Sequence, residues 1–360
     1  MTTVTENLRI ASIRAVSSPS QVQDELPLSE AAAQTTVGAR REIQQILQGS
    51  DDRLLVIVGP CSIHDPAAAL DYARRLAALA AVVKGQLHVV MRVYFEKPRT
   101  TLGWKGLIND PYMDGSFRVN EGLFTARALL REVLSLDISV GCEFLDPITP
   151  QYIADAVSWG AIGARTSQSQ IHRQLASGLS MPVGFKNSTE GDMQGAVDSI
   201  AAAACAQVFP GVTEDGQVAI FSTSGNSDCH LVLRGSAAGP NYDEKSVHDA
   251  LDRLARAGMP SRVVVDASHG NSGKDHRRQS LVVADVVSRL ADGDCTVAGL
   301  MLESFLIPGR QDIILGRAHQ LTHGQSVTDA CVGWDETVTL VQRVADAVTR
   351  RRARMRVPSA

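Results

Sequence analysis

Hydrophobic positions along the chain cluster into short, β-branched runs, and almost every run ends in a chemically capable side chain. LLVIV leads into Gly59-Pro60-Cys61, HVVMRVYF into Glu96-Lys97-Pro98-Arg99-Thr100, and SVGCEF carries Glu143. GAIGA stops at Arg165, PVGF at Lys186 and HLVL at Arg234, while RVVVDAS delivers His269 and TVAGLML delivers Glu303. Short apolar runs separated by helix-like stretches point to parallel strands buried on both faces. About eight such runs predict an α/β fold, a (β/α)8 TIM barrel whose strand C-termini converge on one mouth.

The stretches between the runs refine this layout. Residues 1–35 are polar and weakly patterned, and GARREIQQILQ reads as a helix closed by Gly49. Residues 1–50 therefore read as an arm and helix suited to regulatory or oligomer contacts, 51–350 as the barrel, and 351–360 as a basic tail. Asp65-Pro66 supplies an N-cap and a first-turn proline for AAALDYARRLAALAAVV. A long loop spans 97–120, a helix follows at about 123–134, and Thr149-Pro150 is expected to open a helix over QYIADAVSW. Between the fifth and sixth barrel strands, residues 209–224 read as an inserted β-hairpin that turns at Asp215-Gly216. A loop over 307–333 and a closing helix, ETVTLVQRVADAV, complete the chain.

Composition excludes some classes of function. The 360 residues are 44% hydrophobic and 21% charged with a net charge of −4, so no global basic field invites nucleic acid. The arginines from Arg350 to Arg356 read as a solvated helix end. No apolar stretch approaches the roughly 20 residues that span a bilayer, and the N-terminus lacks the apolar core of a secretory signal. The six cysteines are scattered, which fits free thiols in a reducing cytosol, so a cytoplasmic protein is expected.

The chemistry concentrates at the predicted mouth. Arg92, Lys97, Arg99, Arg165, Lys186 and Arg234 would converge there, a set suited to substrates with two or more anionic groups, unless Glu96, Glu143 or Asp146 pair some of them locally. Cys61, His269, Glu303 and Asp329 combine thiolate, imidazole and carboxylates, a mixed set that accepts Mn, Fe, Co or Zn. Alone, Cys61 reads as a small buried residue beside a turn and His269 as a capped loop histidine; convergence at one mouth makes them a candidate metal set. Lys186 also admits Schiff-base chemistry with a carbonyl.

GPCSIHDP (59–66), RVYFEKPRTTLGWKGLINDP (92–111), GAIGARTSQSQIHRQLASGLSMPVGFKN (160–187), CHLVLRG (229–235), SHGNS (268–272), GLMLES (299–304) and SVTDACVGW (326–334) occur in order. Together they closely resemble the microbial type I 3-deoxy-D-arabino-heptulosonate 7-phosphate (DAHP) synthases, from about residue 6 to 350. The resemblance implies a barrel enzyme that condenses phosphoenolpyruvate with erythrose 4-phosphate, releases phosphate and opens the shikimate pathway. It implies one divalent metal ion, Mn²⁺ foremost, with Fe²⁺, Co²⁺ or Zn²⁺ as alternatives, held by Cys61, His269, Glu303 and Asp329. Phosphoenolpyruvate would be held by Arg92, Arg165, Lys186 and Arg234, with Lys97 beside the reacting centre. Arg99 and Thr100 would take the aldose phosphate, with Lys97 and Asp329 also on the aldose.

In that family the hairpin and arm form a feedback site for aromatic amino acids, and members are homodimers or homotetramers. Here its lining would include Pro147, Gln151, Leu175, Leu179, Ser180, Phe209, Gly211 and Phe221, with arm residues near Leu8 closing it, from the same chain or from a neighbouring subunit. Phenylalanine-sensitive members tend to carry serine where Gly211 stands, so tyrosine is expected over phenylalanine. Two departures stand out: Ser188 and Glu190 replace glycine and aspartate after Lys186, and Ser167-Gln168 replaces Thr-Glu after Arg165. If Ser188 must adopt a positive φ, that costs about 1 kcal/mol. The rival readings are a Schiff-base aldolase using Lys186 and a catalytically dead barrel acting as a regulatory subunit.

Overall fold

A computed structural model describes residues 5–355. Helices α1 (Pro19–Glu25) and α2 (Glu30–Gln48) precede β1 (Leu54–Gly59), α3 (Pro66–Val83), β2 (Leu87–Arg92), α4 (Val119–Leu134) and β3 (Ser139–Glu143). Then come α5 (Pro150–Ile153), β4 (Trp159–Ile162), α6 (Gln170–Gly178), β5 (Val183–Lys186), α7 (Gln194–Ala203) and a hairpin of β6 (Val208–Val212) and β7 (Val218–Ser222). The chain closes through β8 (His230–Leu233), α8 (Glu244–Arg256), β9 (Val263–Asp266), α9 (Gln279–Ala291), β10 (Val297–Glu303), β11 (Ile307–Arg310), β12 (Gln325–Ser326) and α10 (Trp334–Met355). Eight parallel strands form a closed barrel in the order β1-β10-β9-β8-β5-β4-β3-β2. Every barrel strand is buried along nearly its whole length, as the unbroken apolar runs predict.

The barrel interior and its N-terminal end form one apolar cluster. Leu55, Ile57, Trp159, Val232, Val264 and Met301 meet Ile43, Ile46 and Leu47 from α2. Helix α2 thus plugs the end of the barrel opposite the mouth. It starts eight residues earlier than GARREIQQILQ predicts, at a Ser29 cap whose hydroxyl accepts from Ala32 N. Its first turns bury Ala32, Thr36 and Ala39, residues too small to show a helical stripe. Its end is as expected, with Gly49 at φ +80.

Three other local expectations change. Helix α5 runs only from Pro150 to Ile153, a 3₁₀ turn follows at Ala154–Ala156, and Trp159 already belongs to β4. The Trp159 indole donates to His230 Nε2 at 3.1 Å inside the barrel, and Thr149 donates to Glu96 Oε2 at 2.8 Å instead of capping the helix. The region 307–333 contains a small two-stranded sheet of β11 and β12. Helix α10 continues through the arginine cluster: Arg351 is buried and donates to the Asp52 carbonyl, and Arg352 pairs with the Asp52 carboxylate. Arg356, expected at a solvated helix end, lies outside the described residues. Asp65 caps α3 through Ala67 N and Ala68 N, and the hairpin turns at Gly216 with φ +78, both as anticipated.

Candidate active site

Parallel ladders end in register at the mouth, where β1 pairs Gly59 with Glu303 and β8 pairs Leu233 with Val265. Ligand atoms of Cys61, Glu303 and Asp329 lie within 4.8 Å of one another. Ser62 and Thr328, neighbours of Cys61 and Asp329, share a 2.7 Å hydroxyl contact that draws the two loops together. His269 does not meet the 4.8 Å spacing with all three, but its Nε2 stands 3.6 Å from Glu303 Oε1. Its Nδ1 faces Asp266 Oδ2 at 2.9 Å, a carboxylate–imidazole arrangement that leaves Nε2 free as a ligand. His269 holds φ +55, left-handed backbone that a non-glycine residue keeps only where its surroundings enforce it.

Burial, with the nearby Glu303 charge, pushes the Cys61 thiol up to about 12. A cation bound at Cys61 would displace that proton. Sulfur, two carboxylates and an adjacent imidazole fit a divalent transition metal by donor type. Lys97 Nζ sits 3.2 Å from Cys61 Sγ and donates to the Cys61 carbonyl at 3.1 Å, beside this group.

Directly above lies a cavity of about 390 Å³. Lys97, Arg99, Arg165, Lys186 and Arg234 line it, with His269 and Asp329 on its floor side. Thr100 lies just beyond its rim and accepts from Arg165 Nε at 3.1 Å. Arg92 is fully buried below, over the Tyr94 ring at 3.9 Å and 3.2 Å from Glu303 Oε1. Lys186 pairs with Asp266 at 2.9 Å, both buried. Local pairing therefore does occur, but Glu303 and Asp266 provide it, not Glu96, Glu143 or Asp146. Burial works against the Asp266 charge, yet Lys186 and His269 hold its carboxyl well below the usual range. Among the described residues Arg234 is buried with no carboxylate partner, and its Nε has no hydrogen-bond acceptor. A buried guanidinium left this way is a strong call for an anion.

Side-chain amides fix these groups beyond the end of the strand ladders. Asn187 Oδ1 accepts from Arg234 N at 2.9 Å, and Asn271 Nδ2 donates to the Leu233 and Asp266 carbonyls. Gln279 holds Glu303 by both its backbone N and O, at 2.9 and 3.0 Å. Sequence reasoning gave no role to Asp266, Asn187, Asn271, Gln279 or the cavity-lining Lys274. Asp266, Asn271 and Lys274 lie in the strand-end segments VVVDAS and SHGNSGK that carry the assigned groups, whereas Asn187 and Gln279 left no comparable signal. Ser188 is not among the residues with positive φ, so the expected strain at that position is absent; Gly191 takes the left-handed turn at φ +100.

A second cavity, about 740 Å³, lies between the hairpin, α5, α6 and the N-terminal helices. All eight residues expected at an effector site line it, from Pro147 to Phe221. Phe209 and Phe221 stack with centroids 6.0 Å apart. Gly211 lies in a strand opposite Ala219, not in the turn. Gln23 and Arg40 also line the cavity, a contribution from α1 and α2 that sequence reading missed. Within a single chain Leu8 is exposed and stands outside the lining, which leaves closure to the arm of a neighbouring subunit as the form of that expectation still open.

The fold and site define a (β/α)8 barrel with a cation-lined, metal-capable mouth and a separate cavity built by its insertions. The chain belongs to the DAHP synthetase I family, which it matches over residues 25–342. It is 51% identical over 347 residues to a Phe-sensitive phospho-2-dehydro-3-deoxyheptonate aldolase of Escherichia coli K12, covering 96% of this chain and 98% of that protein. A Trp-sensitive counterpart from the same strain is 48% identical, covering 96% and 99%. The solved structure of a phospho-2-dehydro-3-deoxyheptonate aldolase from Francisella tularensis SCHU S4 superposes with a TM-score of 0.92 at 46% identity, covering 95% of this chain and 99% of that one. Among the described residues, no helix is long and apolar enough to cross a membrane.

Proposed function

We propose that this chain condenses phosphoenolpyruvate with erythrose 4-phosphate and water to give DAHP and phosphate, the first step of the shikimate pathway. The observation that carries the reading is a cation-lined cavity, with Arg234 buried and unpaired, directly above the Cys61, Glu303 and Asp329 group. Arg92, Arg165, Lys186 and Arg234 would hold phosphoenolpyruvate, while Arg99 and Thr100 hold the aldose phosphate. A divalent metal held by Cys61, His269, Glu303 and Asp329, Mn²⁺ foremost, would act as a Lewis acid toward the aldehyde oxygen.

In this scheme C3 of the enol phosphate bonds to the aldehyde carbon, and Lys97, beside the reacting centre, would donate the proton that turns the former aldehyde oxygen into a hydroxyl. Water adds at C2, and breaking the C2–O bond expels phosphate. The arginines oppose the mutual repulsion of two multiply charged substrates, so positioning and electrostatics supply much of the rate. The Schiff-base alternative is weaker because Lys186 Nζ faces a carboxylate at 2.9 Å, where that chemistry favours apolar or cationic surroundings. A dead regulatory barrel would have no need of the intact metal-capable set.

We further propose feedback inhibition by an aromatic amino acid in the hairpin cavity, tyrosine favoured over phenylalanine, in a cytoplasmic homodimer or homotetramer. The stacked Phe209 and Phe221 and the Phe- and Trp-sensitive relatives support this reading. Phosphate release is the test, with and without erythrose 4-phosphate, after chelation and again with Mn²⁺. Turnover that needs both substrates and is restored by Mn²⁺ is expected. Borohydride trapping of a Lys186 adduct would overturn the metal-centred reading.

A further inference from the structure

The two departures noted after Arg165 and Lys186 meet at one residue, Asp192, one at its side chain and the other at its backbone. Gln168 Nε2 donates to Asp192 Oδ2 at 2.7 Å, and Ser188 Oγ accepts from Asp192 N at 3.1 Å. The other Asp192 oxygen, Oδ1, accepts from Gly195 N at 3.2 Å in the first turn of α7. Asp192 therefore divides its carboxylate between the helix start and the loop opposite. Gly195 leaves the room this requires, since a Cβ there would fall 1.9 Å from Gln168 Nε2.

The loops joined in this way are the one that carries Arg165 and the one that leaves β5 just after Lys186. The Arg165 loop is a compact turn, with Thr166 N bonded to Gly163 O and Ser169 N to Thr166 O, and Arg165 is exposed at its tip. The loop after Lys186 closes on itself through Ser188 N to Asp192 O and Gly191 N to Ser188 O. It is tied on its far side to the loop after Arg234, by Ala237 N to Thr189 O at 3.2 Å. Arg165, Lys186 and Arg234 all face the mouth cavity; Asp266 already pairs with Lys186, but the like charges of Arg165 and Arg234 push their two loops apart until an anion arrives. A neutral amide at 168 suits this contact, because a carboxylate there would face Asp192 as a second anion.

We propose that Gln168 and Asp192 are positioning residues, clasping the Arg165 loop to the loop after Lys186 so that the phosphoenolpyruvate-binding cations are assembled before substrate arrives. The inference rests on the reading of the mouth cavity as the phosphoenolpyruvate site. Neither residue lines that cavity, so the clasp acts through Arg165 and Lys186 and has no direct contact with the reacting atoms.

Gln168→Glu, Asp192→Asn and the double variant test it, by steady-state kinetics on both substrates and by calorimetric binding of phosphoenolpyruvate alone. Gln168→Glu should raise the KM and the Kd for phosphoenolpyruvate about five-fold, leaving kcat and the KM for erythrose 4-phosphate within about two-fold. Asp192→Asn alone should change little, because its single oxygen can still accept from Gly195 N while its new amide donates to Gln168 Oε1 once the Gln168 amide turns over. In the double variant the new amide can donate to the new carboxylate, and phosphoenolpyruvate affinity should return. A wild-type chain that neither binds phosphoenolpyruvate nor releases phosphate would defeat the functional reading itself. If the wild type is active, three outcomes each overturn the clasp: unchanged phosphoenolpyruvate affinity in Gln168→Glu, equal losses for both substrates, or no recovery in the double variant.

Discussion

The barrel mouth and the hairpin cavity are built on opposite plans. At the mouth the charged groups at or just past the strand ends are held by a named partner: Glu303 by Gln279, Lys186 and His269 by Asp266, and the Arg234 backbone by Asn187. The hairpin cavity is assembled from two half-exposed strands, short helices and pieces of α1 and α2, and neither β6 nor β7 has a fully buried residue. Reacting groups need fixed distances, so they sit at the ends of strands that cannot move without opening the barrel. Ligand discrimination needs only a shaped surface, so it can sit on additions where one side chain changes the shape. Substitutions at the mouth should accordingly cost orders of magnitude, and substitutions at the hairpin should alter preference.

The sharpest test of this contrast is Cys61→Ala. It should reduce turnover by more than about a hundredfold and abolish tight Mn²⁺ binding, while leaving aromatic amino acid binding at the hairpin intact. A variant that keeps near-normal turnover would return Cys61 to an ordinary buried residue. One step smaller, Arg234→Ala should raise the KM for phosphoenolpyruvate by about 10- to 100-fold, and Arg99→Ala should do the same for erythrose 4-phosphate. Matching losses for both substrates in both variants would mean that the cavity is not divided between two anions.

Glu96 lies where the two regions meet, beside Lys97 and bonded to Thr149 at the start of α5. Burial, opposed by the Thr149 hydrogen bond and reinforced by the Asp146 charge, pushes its carboxyl up to about 7. A carboxyl raised on folding contributes stability that is complete below its ordinary value near 4.5 and is lost as pH rises through 7. The loss is of order 3 kcal/mol. Glu96→Gln should remove that loss, so its Tm should gain on the wild type by several degrees between pH 5 and pH 8. A constant difference in Tm across that range would mean that Glu96 does not titrate on folding in this window.

Sequence reading went further at the mouth than at the hairpin for the same structural reason. A strand buried on both faces forces an unbroken apolar run, and the first side chain past it must face the mouth, so Cys61, Lys186, Arg234 and Glu303 could be located by counting. The amides that hold them could not, because Asn187 and Gln279 look like ordinary polar residues until the strands are in register. Helix α2 was half hidden because Ala32, Thr36 and Ala39 pack by being small, and Trp159 was taken into a helix because its indole finds His230 only inside the barrel. The hairpin was recognisable from Asp215-Gly216, but its lining was supplied by the family resemblance. No periodicity links Pro147 to Phe221.

The smallest expected effect is also the one most specific to this chain. A Cβ on Gly211 would lie 2.8 Å from Cδ2 and 2.9 Å from Cε2 of Phe221. Contacts that short force the Phe221 ring to move, and with it the stack on Phe209. Gly211 therefore sets where the ring lies across the cavity, and with it the space left beside the ring for a ligand. A glycine leaves room for the phenolic hydroxyl of tyrosine, whereas Gly211→Ser should shift Phe221 and reduce that room. The variant should lose inhibition by tyrosine several-fold relative to phenylalanine, with kcat and both KM values unchanged in the absence of effector. Deleting the first 30 residues removes α1, whose Gln23 bonds to the Gln151 carbonyl at 2.9 Å and lines the cavity, and should weaken inhibition by every aromatic amino acid alike. Titrating tyrosine, phenylalanine and tryptophan into the phosphate-release assay separates these outcomes. Stronger inhibition of the wild type by phenylalanine would overturn the choice of ligand and leave the cavity's role standing. Full activity at millimolar levels of all three would overturn the role as well, and the hairpin would then have to be explained by assembly alone.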